Sequence, residues 1–209
     1  MKHQLIIFIA VFAVIIVISV LKNQKIEPGK IKYKEKHFVI DDSTIKSGDI
    51  WKIIEPAWVS ISIYDDLEVY KNDLKQFSIP QKYIFAICWY RTEVNNGGHE
   101  QFYLNPTGIV WEDTLEGFKE IGLKEFEDVL SQSIRIMGGS PSKERTEREK
   151  QLDSISPGTP FNREKYIFED IDNEYYKLEQ TTNLDEKLLE YIKKNKSEFY
   201  FDGTVRVPE

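Results

Sequence analysis

Apolar residues recur along this chain mostly at the spacing of a helix, and the first apolar run is the least interrupted. Leu5 to Leu21 holds a single polar residue, Ser19. As a helix these 17 residues would span about 26 Å, close to the ~30 Å hydrocarbon thickness of a bilayer. No small-residue cleavage signal comes after it in Ile18-Ser19-Val20-Leu21-Lys22-Asn23, so the run predicts an uncleaved anchor. Lys22 and Lys25 can snorkel to the interface at its end. Six lysines between positions 22 and 36, against Lys2 ahead of the run, place the remainder of the chain on the cytoplasmic side of the cell membrane. The pattern thus predicts a single-pass protein with residues 1–22 as anchor and residues 5–21 in contact with lipid.

Residues 23–46 read as a Lys-rich linker with an extended piece at Lys36-His37-Phe38-Val39-Ile40, and 47–201 as the domain proper. Trp51, Ile53, Ile54, Ala57 and Trp58 predict helix across 48–64, interrupted near Pro56. Asp65-Asp66 opens a second helix, 66–76. Ser78 caps a third with Pro80 in its first turn, and this helix, 79–96, is apolar enough to be the buried centre. Asn96-Gly97-Gly98 ends it, with Gly97 expected in the left-handed conformation. Further amphipathic helices are predicted at 110–121, 123–137, 164–179 and 184–196. The charged run Lys143 to Lys150 predicts a solvated helix across 142–152, and Pro157-Gly158-Thr159-Pro160 a break. Nothing alternates with period two for long, so 202–209 is read as a tail. The fold class expected is all-α, a multi-helix globular domain behind an N-terminal transmembrane helix.

Charge sharpens this picture. The chain of 209 residues carries a net −7. Residues 1–37 contribute seven lysines and two acids, leaving 21 basic against 33 acidic groups in the remaining 172 residues. So acidic a domain repels nucleic acid and favours basic partners. Cys88 is the one cysteine and lies in an apolar run, which excludes an intrachain disulfide and predicts a buried thiol. His3, His37 and His99 are scattered, so no metal site or cofactor is expected.

Chemistry concentrates in Glu93-Val94-Asn95-Asn96-Gly97-Gly98-His99-Glu100-Gln101-Phe102-Tyr103-Leu104-Asn105. Asn95, Asn96, Gly97 and Gly98 are expected to cap a helix. Gln101 and Asn105, four apart, are expected to satisfy neighbouring backbone while Phe102 and Leu104 fill the core. A hydrolytic reading would pair His99 with Glu93 or Glu100. It lacks a nucleophile and a phosphate loop, so the chain is read as non-enzymatic. Eight acids fall within 169–190, opposed by Lys177 and Lys187, and a second group lies within 112–128. Carboxylates on adjacent helix turns lie about 5–6 Å apart, a spacing similar to that of successive phosphates. The candidate partner-binding residues are therefore Glu112, Asp113, Glu116 and Glu120, with Glu169, Asp170, Asp172 and Glu174.

Trp58, Ile61-Ser62-Ile63-Tyr64-Asp65-Asp66, the Glu93 to Gly98 stretch, Gln101-Phe102-Tyr103-Leu104-Asn105 and Gly108 together resemble the bacterial DNA-mimic protein family. The resemblance covers 47–140 closely and 141–201 in general character. His99 stands where that family usually has a bulky apolar residue, and the N-terminal apolar run is not part of the family domain. The resemblance implies a helical fold and a protein that occupies a basic DNA-binding regulator in place of DNA, without itself binding nucleic acid. The alternative reading is a membrane-tethered interaction or immunity-type protein for one specific basic partner, without mimicry.

Overall fold

Asp41, Asp49, Asp66 and Ser78 each stand just ahead of an apolar run, and each starts a helix by accepting from N–H groups that have no partner within it. Asp41 accepts from Ser43 and Thr44, Asp49 from Lys52, Asp66 from Glu68 and Val69. Ser78 and Gln81 cap each other reciprocally. The computed structural model describes residues 32–156 and 166–209. Its helices are α1 (Asp42–Lys46), α2 (Ile50–Ser60), α3 (Leu67–Leu74), α4 (Ile79–Leu104), α5 (Trp111–Ile121), α6 (Lys124–Ile136), α7 (Arg145–Ile155), α8 (Glu169–Thr181) and α9 (Leu184–Lys194). Short 3-10 turns occupy Pro106–Val110 and Lys196–Phe199.

Two strands, β1 (Tyr33–Ile40) and β2 (Phe201–Pro208), form a two-stranded sheet. The mostly helical reading holds, but the linker and the tail supply this sheet. The extended piece expected at 36–40 is the second half of β1, whereas a strand in the tail was not expected. Phe38, Ile40, Val205 and Val207 are buried, an alternation too short in the tail to stand out from the surrounding polar residues. The described residues belong to two units. The larger is Glu35–Arg206, in which His37 Nδ1 lies 3.3 Å from Thr204 Oγ1. Of the smaller, residues 32–34 and Val207–Glu209 are described, and the Glu209 N–H donates to the Lys32 carbonyl at 2.9 Å.

The expected membrane helix at 5–21 lies outside the described residues, as does the break at 157–160. Among the described residues no helix is long and apolar enough to cross a membrane. This corrects the expected single-pass location at the cell membrane.

Helix α4 is the axis of the larger unit. Ile84, Phe85, Ala86, Ile87, Tyr90 and Val94 are wholly buried along it. It packs against α2, α5, α7 and α8. Cys88 is buried and free, its thiol pushed up to about 12 by burial. Helix α2 runs through Pro56 rather than breaking there. The ring removes one ladder bond, but Ile53, Ile54 and Ala57 on either side of it are almost completely buried and hold the helix on α4.

The second departure matters more. The helix expected to end at Asn96 resumes and continues to Leu104. Between the halves, Gly97 is extended (φ −162°) and Gly98 takes φ 73°, ψ −175°. The latter is a region open essentially to glycine alone. The left-handed requirement expected at Gly97 therefore belongs to Gly98. Gly98→Ala should destabilise the protein by ~2 kcal/mol or more. Urea unfolding followed by circular dichroism checks this, and Gly122→Ala, at a helix end with open space around it, should cost less.

Candidate functional site

The kink in α4 exists to let side chains through. Gln101 donates from Nε2 to Glu93 Oε2 at 2.8 Å, and Asn105 donates from Nδ2 to the same oxygen at 2.8 Å. The two amides thus serve a buried carboxylate rather than backbone, and they clamp the half-helix after the break onto the half before it. A side chain at Gly97 would strike Gln101, so glycine there clears the path of the amide. Asn95 and Asn96 are exposed. Phe102 is buried, whereas Leu104 faces solvent instead of filling the core.

On the other side of the kink, His99 is sealed from solvent and pairs with Asp172 of α8, not with Glu93 or Glu100. Its Nδ1 lies 2.5 Å from Asp172 Oδ1, and its backbone N–H donates to the same oxygen at 3.0 Å. Its Nε2 lies 2.7 Å from the Tyr90 hydroxyl, and the Tyr166 hydroxyl donates to Asp172 Oδ2 at 2.6 Å. With Nδ1–H donating to the carboxylate, Nε2 accepts from Tyr90, whose ring is packed among His99, Phe102, Phe118 and Tyr175. Burial lowers the imidazole's pKa against the opposing pull of Asp172, so the neutral ring is favoured. A side chain at Gly98 would run into Asp172, which fixes glycine there a second time.

These distances fit a lock better than a catalytic pair. Both imidazole nitrogens are engaged, and no solvent reaches them. Among the described residues no group of three or more His, Cys, Asp or Glu is placed to hold a metal ion.

The predicted partner-binding acids divide. Asp172 is buried in the lock, so it cannot face a partner. Asp113 is half-buried, accepts from the Tyr70 hydroxyl at 3.3 Å, and has its pKa raised by burial. Glu112 is taken by Lys143 at 2.5 Å and Glu116 by Lys119 at 3.8 Å. Glu120, Glu169, Asp170 and Glu174 are exposed and make no ion pair among the described residues. Glu125 is a fifth of this kind. The tertiary structure brings the two acidic groups onto adjoining helices, because α6 packs on both α5 and α8. The rings of Phe126, beside Glu125, and Tyr175, beside Glu174, are 5.9 Å apart. A groove of about 820 Å³ opens where the α5–α6 turn meets α9, with Glu120, Glu125, Phe126, Lys187, Glu190 and Tyr191 among its walls.

Sequence reasoning missed Arg148. It lies in the run read as solvated, yet it is completely buried. Its guanidinium donates to the carbonyls of Tyr103 (2.7 Å), Asn105 (2.7 Å), Ser142 (2.7 Å) and Lys143 (3.1 Å). The one signal in the sequence was Leu152, four residues on and also buried, which marks the inward face of α7.

A family model described as DMP19-like protein matches residues 75–195, a stretch that contains the kink motif, the lock and all five exposed, unpaired acids. No curated protein and no solved structure matches the chain.

The lock has a pH signature. His99 binds a proton less readily when folded than in the unfolded chain, where an ordinary histidine titrates near ~6.5. Its contribution is therefore present above that pH and is lost as pH falls, with a slope of at most ~1.4 kcal/mol per pH unit. The stability advantage of the parent over His99→Gln should shrink between pH 7.5 and 5.5, measured by urea unfolding across that range. An advantage that grows on acidification would mean a charged imidazole in the fold.

Proposed function

The chain belongs to the DMP19-like protein family, and from that premise we propose that it is a non-enzymatic acidic binding protein that occupies a basic DNA-binding partner in place of DNA. The observation that carries the reading is the set of exposed carboxylates without ion pairs on the packed helices α5, α6 and α8: Glu120, Glu125, Glu169, Asp170 and Glu174. Other acids nearby are already paired: Lys124 of α6 holds both Glu127 and Asp128, and Arg91 holds Glu179 of α8 and Asp185 of α9. The acids left over supply a field that a basic surface can meet. The sealed state of His99 supports the non-enzymatic part of the proposal, since the imidazole has no free nitrogen to offer a substrate.

A second reading is favoured by the groove at the α5–α6 turn. Its walls mix Lys187 and Lys194 with Glu120, Glu125 and Glu190 around Phe126 and Tyr191, which suits one partner of matching shape rather than any DNA-binding surface. Duplex DNA separates the two readings, because it competes for a partner bound by mimicry and leaves a groove-bound one in place.

The test replaces Glu120, Glu169 and Glu174 with Gln and Asp170 with Asn in one variant. Exposed substitutions of this kind change stability by less than ~0.5 kcal/mol each, so the melting temperature should stay within a few degrees of the parent's. Binding to a basic DNA-binding protein captured with the parent chain should weaken, and its salt dependence should flatten. Unchanged binding at low salt would reduce these faces to ordinary solvated surface.

A further inference from the structure

The groove at the α5–α6 turn is built from three kinds of wall. Leu123 and Phe126 are buried and pin the start of α6, so the apolar side of the turn is fixed in place. Tyr191 of α9 stands in the opposite wall, half-buried, its ring edge-on to Phe199 at 6.3 Å. Glu120, just before the turn, and Glu125, just after it, supply carboxylates to the same opening. Burial, and next the Glu120 charge, push the Tyr191 hydroxyl up to about 12, in keeping with the place of both residues in one groove. The volume of about 820 Å³ falls within the roughly 300–1,000 Å³ of sites that enclose a ligand, enough for a side chain together with the main chain that carries it.

The cations of the groove do not answer its acids. Lys124 turns to Asp128 at 2.7 Å and to Glu127 at 3.4 Å, and Lys187 to Glu190 at 3.2 Å. Lys194 lies in the last turn of α9, where a cation complements the helix end. Glu120 and Glu125 are exposed and have no ion pair among the described residues, so the side-chain charges left open are two carboxylates against one ammonium. One side chain suits apolar walls, an aromatic ring and open carboxylates together. Arginine has an aliphatic stem that packs on apolar surface, a plane that stacks on an aromatic ring, and a fork of donors that matches a carboxylate. The compact, strongly hydrated ammonium of lysine has neither the plane nor the fork.

We propose that this groove receives an arginine side chain of the basic partner, with Glu120 and Glu125 holding the guanidinium and Tyr191 and Phe126 flanking its stem. The proposal rests on the reading of the partner as a basic protein, and it gives that partner one fixed point of attachment. The acids of α8 act at a distance on any positive surface, whereas the groove selects a guanidinium by shape.

The full chain is titrated with three blocked tripeptides, Ala-Arg-Ala, its lysine counterpart and one carrying citrulline, the neutral isostere of arginine. The backbone amide signals of Gly122 to Phe126 are followed by NMR. The arginine peptide should shift them saturably, the lysine peptide, of equal charge, should bind severalfold more weakly, and the citrulline peptide should leave them in place. Glu120→Gln with Glu125→Gln should weaken the arginine peptide about tenfold, and Tyr191→Leu severalfold. Equal binding of the arginine and citrulline or lysine peptides, signals that none of them moves, or undiminished binding by the Glu120/Glu125 double variant would each overturn the inference. A second variant, with Glu169→Gln, Asp170→Asn and Glu174→Gln, leaves the groove intact and should take the arginine peptide as the parent does. Loss of the captured partner in that variant, with no peptide response in the groove of the parent, sinks this inference alone. A groove that responds to arginine as expected, in a chain whose partner is held equally well by that variant and is not displaced by duplex DNA, sinks the mimicry reading alone.

Discussion

The carboxylate of Asp172 lies 2.5 Å from His99 only because Gly98 leaves its side of the backbone bare. That contact ties α8 to the middle of α4, and α8 carries three of the exposed acids on which the proposed function rests. The constraint acts in both directions. If the backbone at Gly98 left its φ 73° conformation, the second half of α4 would no longer aim Gln101 and Asn105 at Glu93. If Asp172 were absent, the His99 Nδ1–H and the Tyr166 hydroxyl would each lose its acceptor, at a cost typical of buried unpaired groups. The kink, the clamp and the lock therefore stand or fall together.

Two populations of carboxylate result from this arrangement, and they do opposite work. Glu93 and Asp172 are buried and hold the helices in register through short, directional bonds. Glu120, Glu125, Glu169, Asp170 and Glu174 sit outside, contribute little to stability, and add to a long-range field that salt screens. Composition alone treats both populations as acid. Only the tertiary structure separates the charges that build the fold from those that another molecule can feel.

The parts of the fold legible in the sequence are those with a strong local signal. Caps at Asp66 and Ser78 and the apolar stripes of α5, α6 and α9 were readable because local chemistry decides them. The continuation of α4 beyond Gly98 was not, because the clamp joins residues eight and twelve apart across a break that local rules read as an end. The extended piece at 36–40 was legible as part of β1, but its pairing was not, because the buried strand positions Phe38, Ile40, Val205 and Val207 are few and lie far apart in sequence. Asp172 looked like one more member of an acidic run, and nothing in its neighbours along the chain distinguishes it from Asp170. Its partner lies 73 residues away.

Arg148 also bears on how this fold can change. Its guanidinium grips four main-chain carbonyls, at Tyr103, Asn105, Ser142 and Lys143, and no side-chain oxygen. Burial draws its pKa down to about 10, so the group remains charged at neutral pH. A rigid fork of donors that reads only backbone is indifferent to which side chains the loop displays. The residues around Ser142 and Lys143 are thereby free to drift in identity while their path through space stays fixed. Relatives that vary along this loop can be expected to keep the arginine, whose grip does not depend on the side chains the loop displays.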